Sequence, residues 1–186
     1  ERLASSQKER PHSDKIAADF QVADGAIVSL VWDFDLLPLT NWEWGRGLQM
    51  TRLGILNAPT GFLPPLPECL HELFCDSNRL TGLTLAQVPK LKTLYCTSNE
   101  LTTLDLTPVP LLEQLDCSFN QLIELDLTPV PELRGLYCWD NRLTQFDLTP
   151  VPRLQELGCW NNKLTELNLT PVQRLQGLVC SNNPLT

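Results

Sequence analysis

Six cysteines, Cys75, Cys96, Cys117, Cys138, Cys159 and Cys180, fall 21 residues apart. A disulfide framework has no reason to be that periodic; a repeated core position does. Rows of 21 begin at Leu70, Leu91, Leu112, Leu133, Leu154 and Leu175, the last incomplete, and agree on L-x-x-L-x-C-x-x-N-x-L-x-x-L-x-L-x-x-V-P-x. A period of this length specifies stacked coils, each covering the open faces of its neighbours. The periodic cysteines read as small buried thiols, and their reduced state suits a cytosolic compartment. Cys69 lies outside the series and reads as the more exposed thiol.

Within each row the apolar positions are 1, 4, 6, 11, 14, 16 and 19. The 4/6 and 14/16 pairs have the period of a strand. The first predicts a parallel strand on one wall of the coil, and the second an extended stretch on the other. Thr107-Pro108-Val109-Pro110 recurs at 128–131 and 149–152 and places two prolines in the return segment. Proline fixes φ and lacks a donor, so that segment is expected to be extended or polyproline-like, not helical. A helix needs about 10 Å of width, against about 4.8 Å between strands. Without that mismatch the predicted fold is a gently curved, mainly β solenoid with few or no helices.

The row pattern resembles bacterial leucine-rich repeats, in particular the short 21-residue class called IRREKO, over residues 70–186. The resemblance implies a ladder at position 9, where Asn78, Asn99, Asn120, Asn141, Asn162 and Asn183 stand. Each amide would bond backbone groups at the turn, since a buried polar side chain must be satisfied. A polar ligand site is the other reading of these residues. Upstream, Leu63-Pro64-Pro65-Leu66-Pro67 resembles the L-P-x-L-P repeat of bacterial effector ubiquitin ligases.

Met50, Leu53 and Ile55 fit positions 1, 4 and 6 of an earlier coil, and Ile27, Leu30 and Trp32 one earlier still. The solenoid is therefore expected over 50–186, an N-terminal cap over 14–49 and a disordered polar tail over 1–13. Asp14–Asp19 reads as a short helical turn. Asp24-Gly25 between Phe20-Gln21-Val22 and Ala26-Ile27-Val28 reads as a hairpin turn. Trp42 and Trp44 fit the cap, or an aromatic ligand site. The chain begins at Glu1, not Met, which reads as a processed or trimmed piece. It stops half-way through a coil at Thr186, so either a further domain follows or the exposed edge invites self-association.

Positions 2, 3, 5, 7 and 8 of each strand wall are left free by the fold. They vary from row to row while the framework does not. Tyr137, Trp139 and Trp160 are expected together on adjacent coils, with Gly135 and Gly158 beside them and Tyr95 and Phe119 extending the patch. Exposed aromatic clusters commonly mark interaction sites, with Trp and Tyr as anchors. The same rings could instead pack over one another, or form a sugar-stacking platform. On the return side, Asp105, Asp126, Asp147 and Asn168 form a column at position 15, with Glu124 and Glu166 beside it. Three readings stand there: caps on the following turn, a surface for a basic partner, or a cation site.

The net charge of −8 and pI near 4.7 argue against a nucleic-acid partner and against an anionic membrane surface. No apolar run approaches 18 residues. His12 and His71 are the two histidines, too few and too dispersed for a catalytic triad. No phosphate loop or metal-ligand spacing is present, so neither cofactor nor metal is expected. Cys138-Trp139-Asp140 superficially matches the C-x-D catalytic motif of the effector ligases, but Cys138 is in register with five other row cysteines. The function expected is a non-enzymatic protein-protein interaction module that binds through its strand face. Alternatives are the substrate-recognition arm of a larger effector enzyme and a self-associating structural protein. The expected location is the bacterial cytoplasm, or a host cytosol after secretion or delivery.

Overall fold

The structure is a computed structural model that describes residues 18–23, 26–33, 50–58, 61, 63 and 65–186. Among these residues there is no helix, and one nine-stranded sheet runs in sequence order. β1 (Ala18–Ala23) and β2 (Ala26–Asp33) are antiparallel; β3 (Arg52–Leu56) pairs parallel with β2. Six three-residue strands follow, all parallel: β4 (Glu72–Phe74), β5 (Thr93–Tyr95), β6 (Gln114–Asp116), β7 (Gly135–Tyr137), β8 (Glu156–Gly158) and β9 (Gly177–Val179). From β4 on, each strand residue faces the one 21 places on, as Leu94 faces Leu115, so the sequence period is the coil.

The pattern of side chains explains the short strands. Position 4 points inward between two outward neighbours, and Leu73, Leu94, Leu115, Leu136 and Leu157 are buried. Position 6, one residue past the strand, also points inward where the coil starts to turn. A small residue suits that corner, and Cys75, Cys96, Cys117, Cys138 and Cys159 are buried there. The carbonyl of position 5 on the next coil accepts the backbone N–H of the cysteine, as Tyr95 does for Cys75 at 2.8 Å. The Cys75 thiol donates to the same oxygen at 3.4 Å. Burial pushes these thiols up, Cys159 to about 12. All seven cysteines are reduced, and Cys69 donates to the Met50 carbonyl at 3.0 Å.

Position 8 carries the turn off the strand wall. Ser77, Ser98, Phe119, Asp140, Asn161 and Asn182 all have φ between 49° and 56°. In each coil from Ser77 to Asn161 the N–H at position 8 donates to the position-7 carbonyl of the next coil, as Phe119 does to Trp139 at 2.8 Å. The amide at position 9 completes the turn. Asn120 Nδ2 donates to the carbonyls of Cys96, Cys117 and Ser118 at 3.0, 3.0 and 3.1 Å. Its Oδ1 accepts the Leu101 N–H at 3.0 Å. Asn99, Asn141, Asn162 and Asn183 repeat the arrangement one coil apart. Asn78 bonds to Ile55 O and Ala58 N in the coil before.

On the return side the prolines sit in β-turns. Val109 N–H donates to Leu106 O at 3.0 Å, and Leu112 N–H to Val109 O at 3.1 Å, two turns in succession about a buried valine. Pro110 takes the first corner of the second turn, where its fixed φ is favoured. Leu111 follows with negative φ, which makes the turn type I, not type II.

At the N-terminal end β2 brings Leu30 beside Leu53 and Trp32 beside Ile55, in line with positions 4 and 6. β1 folds back on it as a hairpin, with Ala23 opposite Ala26. The expected helical turn at Asp14–Asp19 is corrected in part: Ala18 and Asp19 lie in β1, opposite Trp32 and Val31, where pairing satisfies both backbone groups. Residues 1–17, Asp24-Gly25, Trp42 and Trp44 lie outside the described residues.

Replacing Asn120 by Ala leaves buried carbonyls and an N–H without partners, and should lower stability by about 1–3 kcal/mol. The urea midpoint measures it, and an unchanged midpoint would contradict a structural role for the amide.

Candidate binding face

Positions 3, 5 and 7 of the coils form the outer surface of the sheet. Position 5 runs Phe74, Tyr95, Asp116, Tyr137, Gly158 and Val179 in hydrogen-bonded register. The aromatic residues on it separate into two groups. Phe74 and Tyr95 stack with centroids 5.2 Å apart and planes 8° from parallel. The Arg52 guanidinium lies 4.7 Å from the Phe74 centroid, and its Nε is 3.4 Å from Glu72 Oε2. Two coils on, Tyr137 meets Trp139 edge-to-face, at 5.8 Å and 83°. Tyr95 thus belongs with Phe74, across Asp116 from Tyr137. Sequence reasoning chose Tyr95 but passed over Phe74 and Arg52, although aromatic residues at position 5 of consecutive rows pointed to Phe74.

The glycines have definite occupants. A Cβ on Gly158 would come within 1.9 Å of Trp139 Nε1, so the indole lies in the space left by the missing side chain. Gly135 is covered by the Gln114 amide, not by an aromatic ring, and Gly177 by the Glu156 carboxylate. Pressed against Gly158, Trp139 Nε1 is buried without a hydrogen-bond partner, as is Asp140 Oδ2 on the next residue. Trp160 is half-buried in the coil beyond, with no ring pairing to Trp139 among the described residues.

Phe119 is the anomaly of the face. It is 50% exposed and has φ 55°. The other five rows put Ser, Asp or Asn at this position. Small polar residues tolerate the left-handed region; a bulky aromatic is a genuine outlier there. The fold holds Phe119 in a strained backbone while leaving half of the residue in water.

The return side shows a depression of about 760 Å³ around Asp105, Asp126, Asp147, Glu124 and Glu166, floored by Leu104, Leu125 and Phe146. Each aspartate closes a local turn: Oδ1 of Asp105, Asp126 and Asp147 accepts the N–H of Thr107, Thr128 and Thr149 at 2.8–2.9 Å. Asn168 accepts from Thr170 at 3.0 Å in the same way without charge. Hydrogen bonds from the threonines hold the three carboxyls below their ordinary range. No cluster of His, Cys, Asp and Glu suited to a metal occurs among the described residues.

No protein-family model and no curated protein matches the chain. Solved structures do. The functional domain of InlJ from Listeria monocytogenes, which includes a cysteine ladder, is 32% identical over 73% of this chain and 34% of its own, with a TM-score of 0.52. YopM from Yersinia enterocolitica is 28% identical over 72% of this chain and 33% of its own, at 0.55. A Leptospira interrogans leucine-rich-repeat protein, at 24% identity, shares the fold over 72% of this chain and 38% of its own, at 0.67. The chain thus spans between a third and two fifths of the length of these structures.

Two tests follow from this geometry. Phe119→Asn should raise stability by about 1–3 kcal/mol by relieving the strained φ, and an unchanged or lower thermal midpoint would argue that no strain is stored there. The lowered carboxyls of Asp105, Asp126 and Asp147 give stability that is fully present above the ordinary value of 3.8 and lost as pH falls through their depressed folded values. Changing all three to Asn should leave the neutral-pH midpoint in place and flatten the acid limb of a stability–pH curve. The repeats, their Asn and Cys columns and the matching structures together make this chain a leucine-rich-repeat solenoid, similar to InlJ and YopM.

Proposed function

We propose that the chain is a non-enzymatic protein-binding module whose partner docks on the strand face, over Tyr95, Phe119, Tyr137, Trp139 and Trp160. Repeat solenoids generally present such extended surfaces to partners. The observation that carries the reading is Phe119, an exposed aromatic held at φ 55° where the other rows use small polar residues. Strain retained at a half-exposed aromatic points to use by a ligand. The Tyr137–Trp139 pair stands one coil away from it, with Trp160 beyond. Aromatic anchors of this kind dominate binding energy when a partner desolvates them. The same face would serve if the chain is the recognition arm of a larger effector enzyme.

The direct test is affinity capture of a partner, its reconstitution in purified form and titration against wild type and the triple variant Tyr137→Ala, Trp139→Ala, Trp160→Ala, after both are shown to fold. Loss of one anchor typically weakens binding by more than about 1–2 kcal/mol, so the triple variant should abolish measurable affinity. Equal affinity for both proteins would remove the strand face from consideration.

A further inference from the structure

The position-5 column contains an interruption. Phe74 and Tyr95 stack, but the next residue in register is Asp116, and Tyr137 follows. Asp116 is too short to continue the stack. The backbones of Tyr95 and Tyr137 stand two strand spacings apart, about 9.6 Å. A planar group seated between two rings needs one van der Waals separation on each side, about 7–8 Å in all. The interruption therefore leaves room for one planar group, with a carboxylate at its base.

The charge at that base is unmatched among the described residues. Asp116 Oδ1 accepts the Ser118 N–H at 3.0 Å. The ion pairs among the described residues join Arg52 to Glu72, Lys92 and Arg134 to Glu113, and Arg153 to Glu132; none reaches Asp116. Asp116 is half-buried, and burial, followed in smaller part by the Asp76 charge, raises its carboxyl against the lowering effect of Ser118. A neighbouring cation would reverse that effect.

The same sheet shows what such a place accepts. At the other end of the column the Arg52 guanidinium lies over the Phe74 ring and beside the Glu72 carboxylate. Ring and carboxylate together satisfy a guanidinium through its face and its edge. Tyr95, Asp116 and Tyr137 supply those two partners again, with no cation of the described residues paired to Asp116.

We propose that the gap at Asp116, between Tyr95 and Tyr137, is an arginine subsite that takes a guanidinium from the protein partner. The proposal rests on the strand face being the binding face, and it adds the chemistry by which that face selects. Arginine fits better than lysine because a flat, weakly hydrated guanidinium stacks on a ring while its edge engages the carboxylate.

The test uses the full chain and a short fluorescent peptide of alternating glycine and arginine, with lysine and glutamine counterparts, followed by anisotropy at physiological salt. The arginine peptide should bind more tightly than the lysine peptide, and the glutamine peptide should not bind. Asp116→Asn keeps the shape and removes the charge. Asp116→Tyr fills the gap with a residue that the same position holds in two other coils. Each should weaken the arginine peptide by at least about tenfold, while Glu100→Gln, an equal loss of charge at an exposed position, should leave it unchanged. Equal binding of arginine and lysine peptides, equal weakening by Glu100→Gln, or wild-type affinity in both Asp116 variants would each overturn the subsite. None of those results would touch the binding-module reading, which stands or falls with the aromatic triple variant and its partner.

Discussion

Everything in this fold hangs on one side-chain amide per coil. Where the chain leaves the strand wall it turns sharply, and the carbonyls of positions 6 and 7 face inward and away from water. No backbone donor is in place for all of them. The position-9 asparagine answers with one NH₂ group that reaches two carbonyls of its own coil and one of the coil before. Its oxygen takes an N–H of that earlier coil. Coil closure and coil stacking are therefore one act, made by the same group. The leucines supply the burial energy, but leucine packing alone is forgiving of register; the amide ladder is not.

Position 8 is the corollary. An asparagine able to reach back in this way needs the preceding residue in the left-handed region, and each coil accepts that demand. Ser, Asp and Asn meet it at little cost. That background of uniform compliance makes Phe119 informative: a framework rule is broken at one coil, on the exposed rim of the face with the most aromatic residues.

The architecture was legible because the chain aligns with itself. Six rows showed which positions were constrained, and the spacing of the leucines and cysteines fixed the 21-residue register. The acidic column was legible as three open readings, and Asn168 hinted at the capping one that the Asp–Thr bonds display. What escaped was lateral geometry. Sequence order placed Tyr95, Tyr137, Trp139 and Trp160 on one face, but not that Tyr95 would stack on Phe74 or that Gln114 would cover Gly135. Those outcomes depend on how long side chains lean between coils, which a row pattern does not encode. Likewise the strain at Phe119 is invisible until the backbone angle is known.

The glycines carry a further consequence. Gln114 lies over Gly135, Trp139 over Gly158 and Glu156 over Gly177, each side chain resting on the coil that follows it. Over these coils the outer surface is shingled, and each of the three tiles needs a bare spot on its successor. A single coil is therefore not an independent module in exchange between such arrays: Trp139 moved without the coil that carries Gly158 would have nowhere to lie. The coils joined in this way must be inherited, shuffled or grafted as pairs, so the vocabulary of this part of the surface is written in two-coil words.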